Sequence, residues 1–247
     1  MLRHAGLALL APMFLASPCP AQDDAADGRG WRFLFAPYLW MTSIDGDVSA
    51  RGRTADVDVD FGDIWEDLDF GAQVHLEAWR GRWGAFVDPT YLYLSDDPLG
   101  VDVDTRLWLV EFGGMYRLLE NRALGGTLRG LSLDVLAGGR YWNGRITIDP
   151  PNLSAVESSH DWADPIIGSR LQGDLPANLF FSLGGNIGGF GLASDLTWSA
   201  TGLLGYRFTP LFSLLGGYRA LGVDYEQGGF RLDTTMHGPV VGAAFSF

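Results

Sequence analysis

The sequence predicts an all-β protein: a transmembrane antiparallel up-and-down β-barrel of about ten strands, with a short helical insertion near the N-terminal third. Three observations carry this. Short segments alternating apolar with polar or small residues recur along the chain, and after the N-terminus no run of about 18 apolar residues offers a membrane helix. The last residues, from Gly238, alternate again and stop on Phe247, with Pro239, Val241, Ala243, Phe245 and Phe247 on one face. A terminal apolar strand is a sticky edge in water, whereas closing a barrel against the first strand removes that edge.

The first residues read as an export signal. Arg3, an apolar run from Leu7 to Ala16, and small residues up to Ala21 predict a signal peptide over 1–21. The run is too short to span a bilayer as a helix. Cleavage at Ala21 removes Cys19, the only cysteine, so the mature chain has no disulfide to rely on. A short periplasmic segment, 22–30, then leads into the barrel domain, 31–247.

Trp31 to Thr42 is the first expected strand. Phe70 to Trp79 is the clearest, with Phe70, Ala72, Val74, Leu76 and Ala78 on a lipid face and Gln73, His75 and Glu77 on a lumen face. Strands follow at Trp83 to Ser95, Gly100 to Leu118, Leu131 to Ile148 and His160 to Leu175. Leu179, Phe181, Leu183 and Ile187 then alternate against Ser182 and Asn186. In Leu196 to Phe208, the outward set Leu196, Trp198, Ala200, Leu204, Tyr206 and Phe208 opposes Asp195, Thr197, Ser199, Thr201 and Arg207. Leu211 to Glu226 and Phe230 to Phe247 complete the set. In Gly100 to Leu118 the apolar parity switches from Leu107 and Leu109 to Phe112 and Tyr116, which predicts a bulge near Leu109; the last strand calls for another near Gly238.

Segment 43–69 departs from the meander. Thr54 to Phe61 alternates Val57, Val59 and Phe61 with Asp56, Asp58 and Asp60, and turn residues precede it, so a hairpin above the membrane is expected. If that hairpin crosses the bilayer, the count becomes about twelve. Asp63 with Glu66, and Ile64 with Leu68, then predict one helical turn at the barrel mouth.

Connections alternate in length. Arg80 to Arg82, Pro176 to Asn178, and Thr209 with Pro210 are tight periplasmic turns; Leu119 to Gly130 is a longer one; Asp96 to Leu99 and Asp149 to Ser159 are outer loops. Trp31, Trp83, Tyr206, Phe208, Phe212 and Phe247 lie beside the inner turns, and Tyr91, Tyr93, Tyr141 and Tyr218 further up, as interfacial girdles.

On these residues the chain resembles outer-membrane barrels of Gram-negative bacteria. Gly242, Phe245 and Phe247 are similar to the assembly signal of such proteins, which implies the barrel-assembly machinery and outer-membrane lipid as partners and the outer membrane as location. Pro37-Tyr38-Leu39-Trp40, the Asp56 to Phe61 strand, Gly81-Arg82-Trp83-Gly84 and Tyr91-Leu92-Tyr93-Leu94-Ser95-Asp96 resemble a family of uncharacterised small porin-like or opacity-type barrels. The resemblance brings no active site.

Net charge is −13 and all 17 basic residues are arginine, which excludes the basic footprint of nucleic-acid binding. The acidic repeats Asp56, Asp58, Asp60 and Asp102, Asp104 are explained by strand alternation, and Phe61 stands where a calcium loop needs glycine, so no metal and no cofactor are expected. The expected lumen charges are His75, Glu77, Asp88, Arg106, Glu111, Asp134, Arg140, Arg170, Asp174 and Arg219. Opposite signs in a narrow lumen cross-link it, giving a plugged structural or surface-interaction barrel, or a constricted channel for small solutes. The alternative is an enzyme acting on lipid or surface peptide, with His160, beside Ser158, Ser159 and Asp161, the first histidine to test. Catalytic residues cannot be assigned from that adjacency, because strand neighbours point to opposite faces.

Overall fold

The computed structural model describes residues 30–50, 53–59, 61–62, 68–96, 102–121, 128–149, 156–227 and 230–247. The expected export signal and most of segment 22–30 therefore lie outside the described residues. Twelve strands form one sheet: β1 (Trp31–Trp40), β2 (Ser43–Ala50), β3 (Arg53–Val59), β4 (Leu68–Arg80), β5 (Trp83–Asp96), β6 (Asp102–Asn121), β7 (Gly130–Asp149), β8 (Val156–Asp174), β9 (Leu179–Gly189), β10 (Leu196–Arg207), β11 (Phe212–Gln227) and β12 (Phe230–Ser246). Ten of them, β1 and β4 to β12, make an antiparallel wall in sequence order, and β1 pairs with β12 to close it. At the seam, Phe33 and Phe247 exchange backbone hydrogen bonds of 3.0 and 2.9 Å. No sheet edge is left in the lower wall, as hydrocarbon requires.

The hairpin is the exception to the meander. Trp40 sits opposite Val240 and Ser43 opposite His237, so β2 prolongs β1 along β12 without a change of register. β3 folds back on β2, while β4 returns to β1 only from Val74 downward. The hairpin thus follows the upper half of β12 and stands above the ten-strand wall, as expected; the twelve-crossing alternative does not hold. Phe61 and Gly62 are helical, whereas Asp63, Ile64 and Glu66 of the expected helical turn lie outside the described residues.

Both expected bulges are corrected. β6 pairs in unbroken register with β5 and β7 through Leu109, and its irregularity falls between Arg117 and Leu119. β12 pairs without a shift against β11 through Gly238. The parity change has another cause: Leu109 and Met236 point inward, because the upper lumen is apolar, and both are buried. β6 and β7 are also longer than expected, running to Asn121 and Asp149, so the connections beyond them are shorter.

Tight turns join β4 to β5, β8 to β9 and β10 to β11 at the end that holds Trp31 and Phe247, which marks that end as periplasmic. Ala177 and Asn178 both adopt positive φ, 57° and 62°, the paired left-handed geometry that suits the twist of a two-residue hairpin.

Candidate functional site

Alternation along the strands aims one set of polar side chains into the lumen, where they form a continuous network. Thr197 (β10) and Asn186 (β9) bind Arg140 (β7), which also donates to Glu111 (β6) at 2.6 Å. Glu111 accepts from Arg219 (β11), and Arg219 donates to the Tyr38 (β1) hydroxyl at 2.9 Å. Tyr38 in turn donates to Asp88 (β5) at 2.6 Å. His75 (β4) bridges Asp88 at 2.8 Å and Glu77 at 2.7 Å through its two ring nitrogens. Arg170 (β8) joins Glu77 to Asp134 (β7), which also binds Arg117 (β6) at 2.8 Å. Nine of the ten wall strands contribute a side chain, so the network cross-braces the barrel. Arg140 is wholly buried, and a buried charge without partners is costly, so each guanidinium needs its carboxylate.

Eight of the ten expected lumen charges meet in this network. Arg106 does not: it lies on the outer face, with its guanidinium carbon 5.2 Å from the centre of the Tyr93 ring. Its parity matches Trp108, whose side chain faces outward. Asp174 sits at the periplasmic rim, half-exposed, and binds Arg207 at 3.1 Å. Asn186 and Thr197 lie on the polar faces expected for their strands, while Tyr38 and Arg117 are additions to the expected lumen residues. Each shares parity with a lumen charge on its own strand or a neighbour, and that parity was the available signal.

Above the network the lumen is apolar. Trp40, Leu109, Trp142, Leu221, Val223, Tyr225, Met236 and Val240 form a buried cluster. Trp162 stacks between Trp142 and Tyr225, at 5.6 and 4.2 Å between ring centres. The β9–β10 loop folds over this cap: Ser194 donates its backbone N–H to Asp164 at 2.8 Å and its hydroxyl at 2.7 Å, and the Trp162 indole donates to Ser194 at 3.0 Å.

Below the network a cavity of about 1930 Å³ reaches the rim at Trp31, Arg129, Thr209 and Phe247 and ends at Glu111, Asn186, Arg219 and Val240. Among the described residues the lumen is therefore open toward the periplasm and filled toward the exterior.

The outer wall is apolar in a belt. Phe33, Phe35, Leu39, Phe112, Val135, Ile167, Leu183, Ile187, Leu204, Leu214 and Val241 are exposed there, bordered below by Trp31, Trp83, Tyr206, Phe208 and Phe247 and above by Trp108 and Tyr218. Such a belt between aromatic girdles is stable only in a bilayer. The chain is an outer-membrane β-barrel.

Comparison with solved structures returns barrels of that membrane. The chain is similar to Ail, the attachment invasion locus protein of Yersinia pestis, in complex with the heparin analogue sucrose octasulfate, at 14% identity over 89% of this chain and 99% of that chain, with a TM-score of 0.41. Neisserial surface protein A is similar at 14% identity over 89% and 100%, with a TM-score of 0.36. The outer-membrane protease OmpT of Escherichia coli is similar at 9% identity over 88% and 97%, with a TM-score of 0.48. No protein-family model and no curated protein sequence matches the chain.

Two further histidines bear on chemistry in this outer-membrane barrel. His160 is exposed on β8 opposite Gly144. His237, on the outer wall at the upper edge of the belt, contacts the Tyr218 hydroxyl at 2.6 Å and Asp45 at 2.6 Å. Asp45 and Asp58 are register partners across the hairpin, as are Asp47 and Asp56, while Asp60 lies outside the described residues. Among the described residues no group of His, Cys, Asp and Glu is arranged to hold a metal ion.

Proposed function

We propose that this barrel is a closed, non-enzymatic structural and surface-interaction protein of the outer membrane rather than a solute channel. One observation carries the reading: a solute would have to displace both the Arg140–Glu111–Arg219 brace and the aromatic cap, in which Leu109 and Leu221 are 1% and 0% exposed. A conducting constriction leaves a hydrated path between its charged side chains. Here the charges satisfy one another, and apolar packing follows directly above. Insertion is expected to run through the barrel-assembly machinery, which would read Gly242, Phe245 and Phe247 on β12.

Planar-bilayer recording on the refolded chain tests this. The expected result is a silent bilayer, alongside a heat-modifiable gel shift that certifies the folded barrel. Steady conductance from heat-modifiable protein would favour the channel for small solutes.

The enzymatic alternative moves from His160 to His237, since Tyr218, His237 and Asp45 make a hydrogen-bonded chain of nucleophile, base and orienting carboxylate at headgroup level. Turnover of a lipid ester by the refolded chain that disappears in His237→Gln would establish it. Absence of turnover across phospholipid and peptide substrates would remove it.

A further inference from the structure

The cavity below the network combines charged and apolar side chains on both of its walls. On the β4 to β8 side its lining carries the charged network, His75, Glu77, Asp88, Glu111 and Arg170, with Trp79, Phe86, Met115 and Leu136 beside it. On the other side, β9 to β12 and β1 present Leu34, Ala36, Phe180, Leu203, Leu215, Val240 and Ala244 beside the polar Ser199, Thr201, Arg207 and Arg219, and the lining as a whole is predominantly apolar. Register and parity put Gly184, Gly205, Gly217 and Gly242 on the inner face of this second wall. At Gly184 the missing side chain leaves lumen space, whereas a Cβ on Gly217 would fall 1.9 Å from the Gly202 carbonyl oxygen and one on Gly242 2.8 Å from the Tyr38 Cβ, so glycine there serves close strand packing. Phe180 lies over Gly205, where a Cβ would fall 2.1 Å from its ring, while a Cβ on Gly184 would meet nothing nearer than 3.9 Å.

A lumen that only passed water and ions would have no use for an apolar face of this kind, and one that only braced the barrel would be filled. The charges that line the cavity are also distinctive. They comprise six arginines against five carboxylates, in a chain whose net charge is −13. Arg117, Arg129 and Arg207 stand toward the rim, Arg117 paired with Asp134 and Arg207 with the half-exposed Asp174, from which an anionic head would have to draw it. Enclosed sites that bind small amphiphiles combine these parts: apolar walls, a few placed polar groups, and one open end.

We propose that this cavity is a binding cup for a single-chain anionic amphiphile taken from the periplasmic side. The acyl chain lies along Leu34, Leu203, Leu215 and Val240, and the anionic head sits among the rim arginines. The inference rests on the closed-barrel reading in one respect: the cup is blind because the cap seals its far end. A free long-chain carboxylate and a lysophospholipid with a terminal phosphate share the required chemistry.

The test uses the full chain in phosphatidylcholine nanodiscs, with a fluorescent long-chain carboxylate displaced by palmitate, palmitoyl-lysophosphatidate, hexadecanol or hexadecylamine. Saturable one-to-one binding is expected, with both anions ahead of the alcohol and the amine weakest; the tighter anion identifies the source. Gly184→Phe, whose Cβ meets nothing nearer than 3.9 Å, puts a ring into the cup and should abolish binding while keeping the heat-modifiable shift. Leu215→Gln, which makes the apolar wall polar at nearly constant volume, should also weaken it. Arg207→Gln should weaken the anions by about tenfold, the factor that corresponds to losing one charge-assisted hydrogen bond, and leave the alcohol unchanged. No saturable binding, wild-type binding in Gly184→Phe, or equal binding of amine and carboxylate would each overturn the proposal. Bilayer conductance reports on the cap separately, so a leaky barrel and an empty cup give different results.

Discussion

Arg140 has no exposed surface and makes four hydrogen bonds to three partners: Glu111, Asn186 and Thr197 all depend on its guanidinium. Replacing it by Ala leaves Glu111 with one cation fewer in a low-dielectric lumen, and such a break costs about 3 to 5 kcal/mol. Urea unfolding in lipid vesicles should show that loss; a change below about 1 kcal/mol would mean that the brace is hydrated and weak. On the opposite face, Leu183 is half-exposed to lipid, and Leu183→Arg should destabilise by about 2 to 4 kcal/mol if it lies near the midplane. At this scale most of the lumen was readable, because parity alone sends His75, Glu77, Asp88 and Arg140 inward. Arg106 was misplaced because a charge above the membrane is as stable outside the wall as inside it. Tyr38 was missed because an aromatic beside a girdle motif looks like a lipid anchor until its hydroxyl is seen to join Asp88 to Arg219.

Among the elements, β12 carries the most. It pairs with β11 along its whole length, with β1 below and with β2 above. Phe247→Ala should slow assembly into membranes while leaving the lumen charge network intact, read as a delayed heat-modifiable shift; normal kinetics would undo the assembly-signal argument. Shortening the β2–β3 hairpin exposes the edge of β12 from Phe230 to His237. Amide exchange should then accelerate over those residues and stay slow from Val240 to Ser246, where β1 still covers the strand. Alternation identified every wall strand, but the two bulges it seemed to require were absent. A strict rule of apolar outside and polar inside fails where the lumen itself is dry, and Leu109 and Met236 fall in that dry zone.

For the molecule as a whole, the division into a filled upper lumen and an open lower one is the property to test. Removing the cap in a Trp142→Ala, Trp162→Ala double variant should allow intermittent conductance that the parent lacks, since the network beneath is the remaining barrier. Continued silence would mean that the charged layer seals the barrel alone. Sequence could establish the barrel but not which end is filled, because the cap is assembled from single residues of many strands, Trp40, Leu109, Trp142, Leu221 and Met236, and no short window contains two layers of it.

The reciprocal hydrogen bonds between Phe33 and Phe247 also set an order of events in time. They join the beginning of the wall to its last residue, so this pairing has the greatest sequence separation in the fold and must wait until the other strands are in place. Until that moment β1 and β12 are both bare edges, open to pairing with another chain. The slowest and most aggregation-exposed stage of this protein's life is therefore the interval before its two ends meet. A chaperone or assembly factor that shields β12 alone would protect it through that interval.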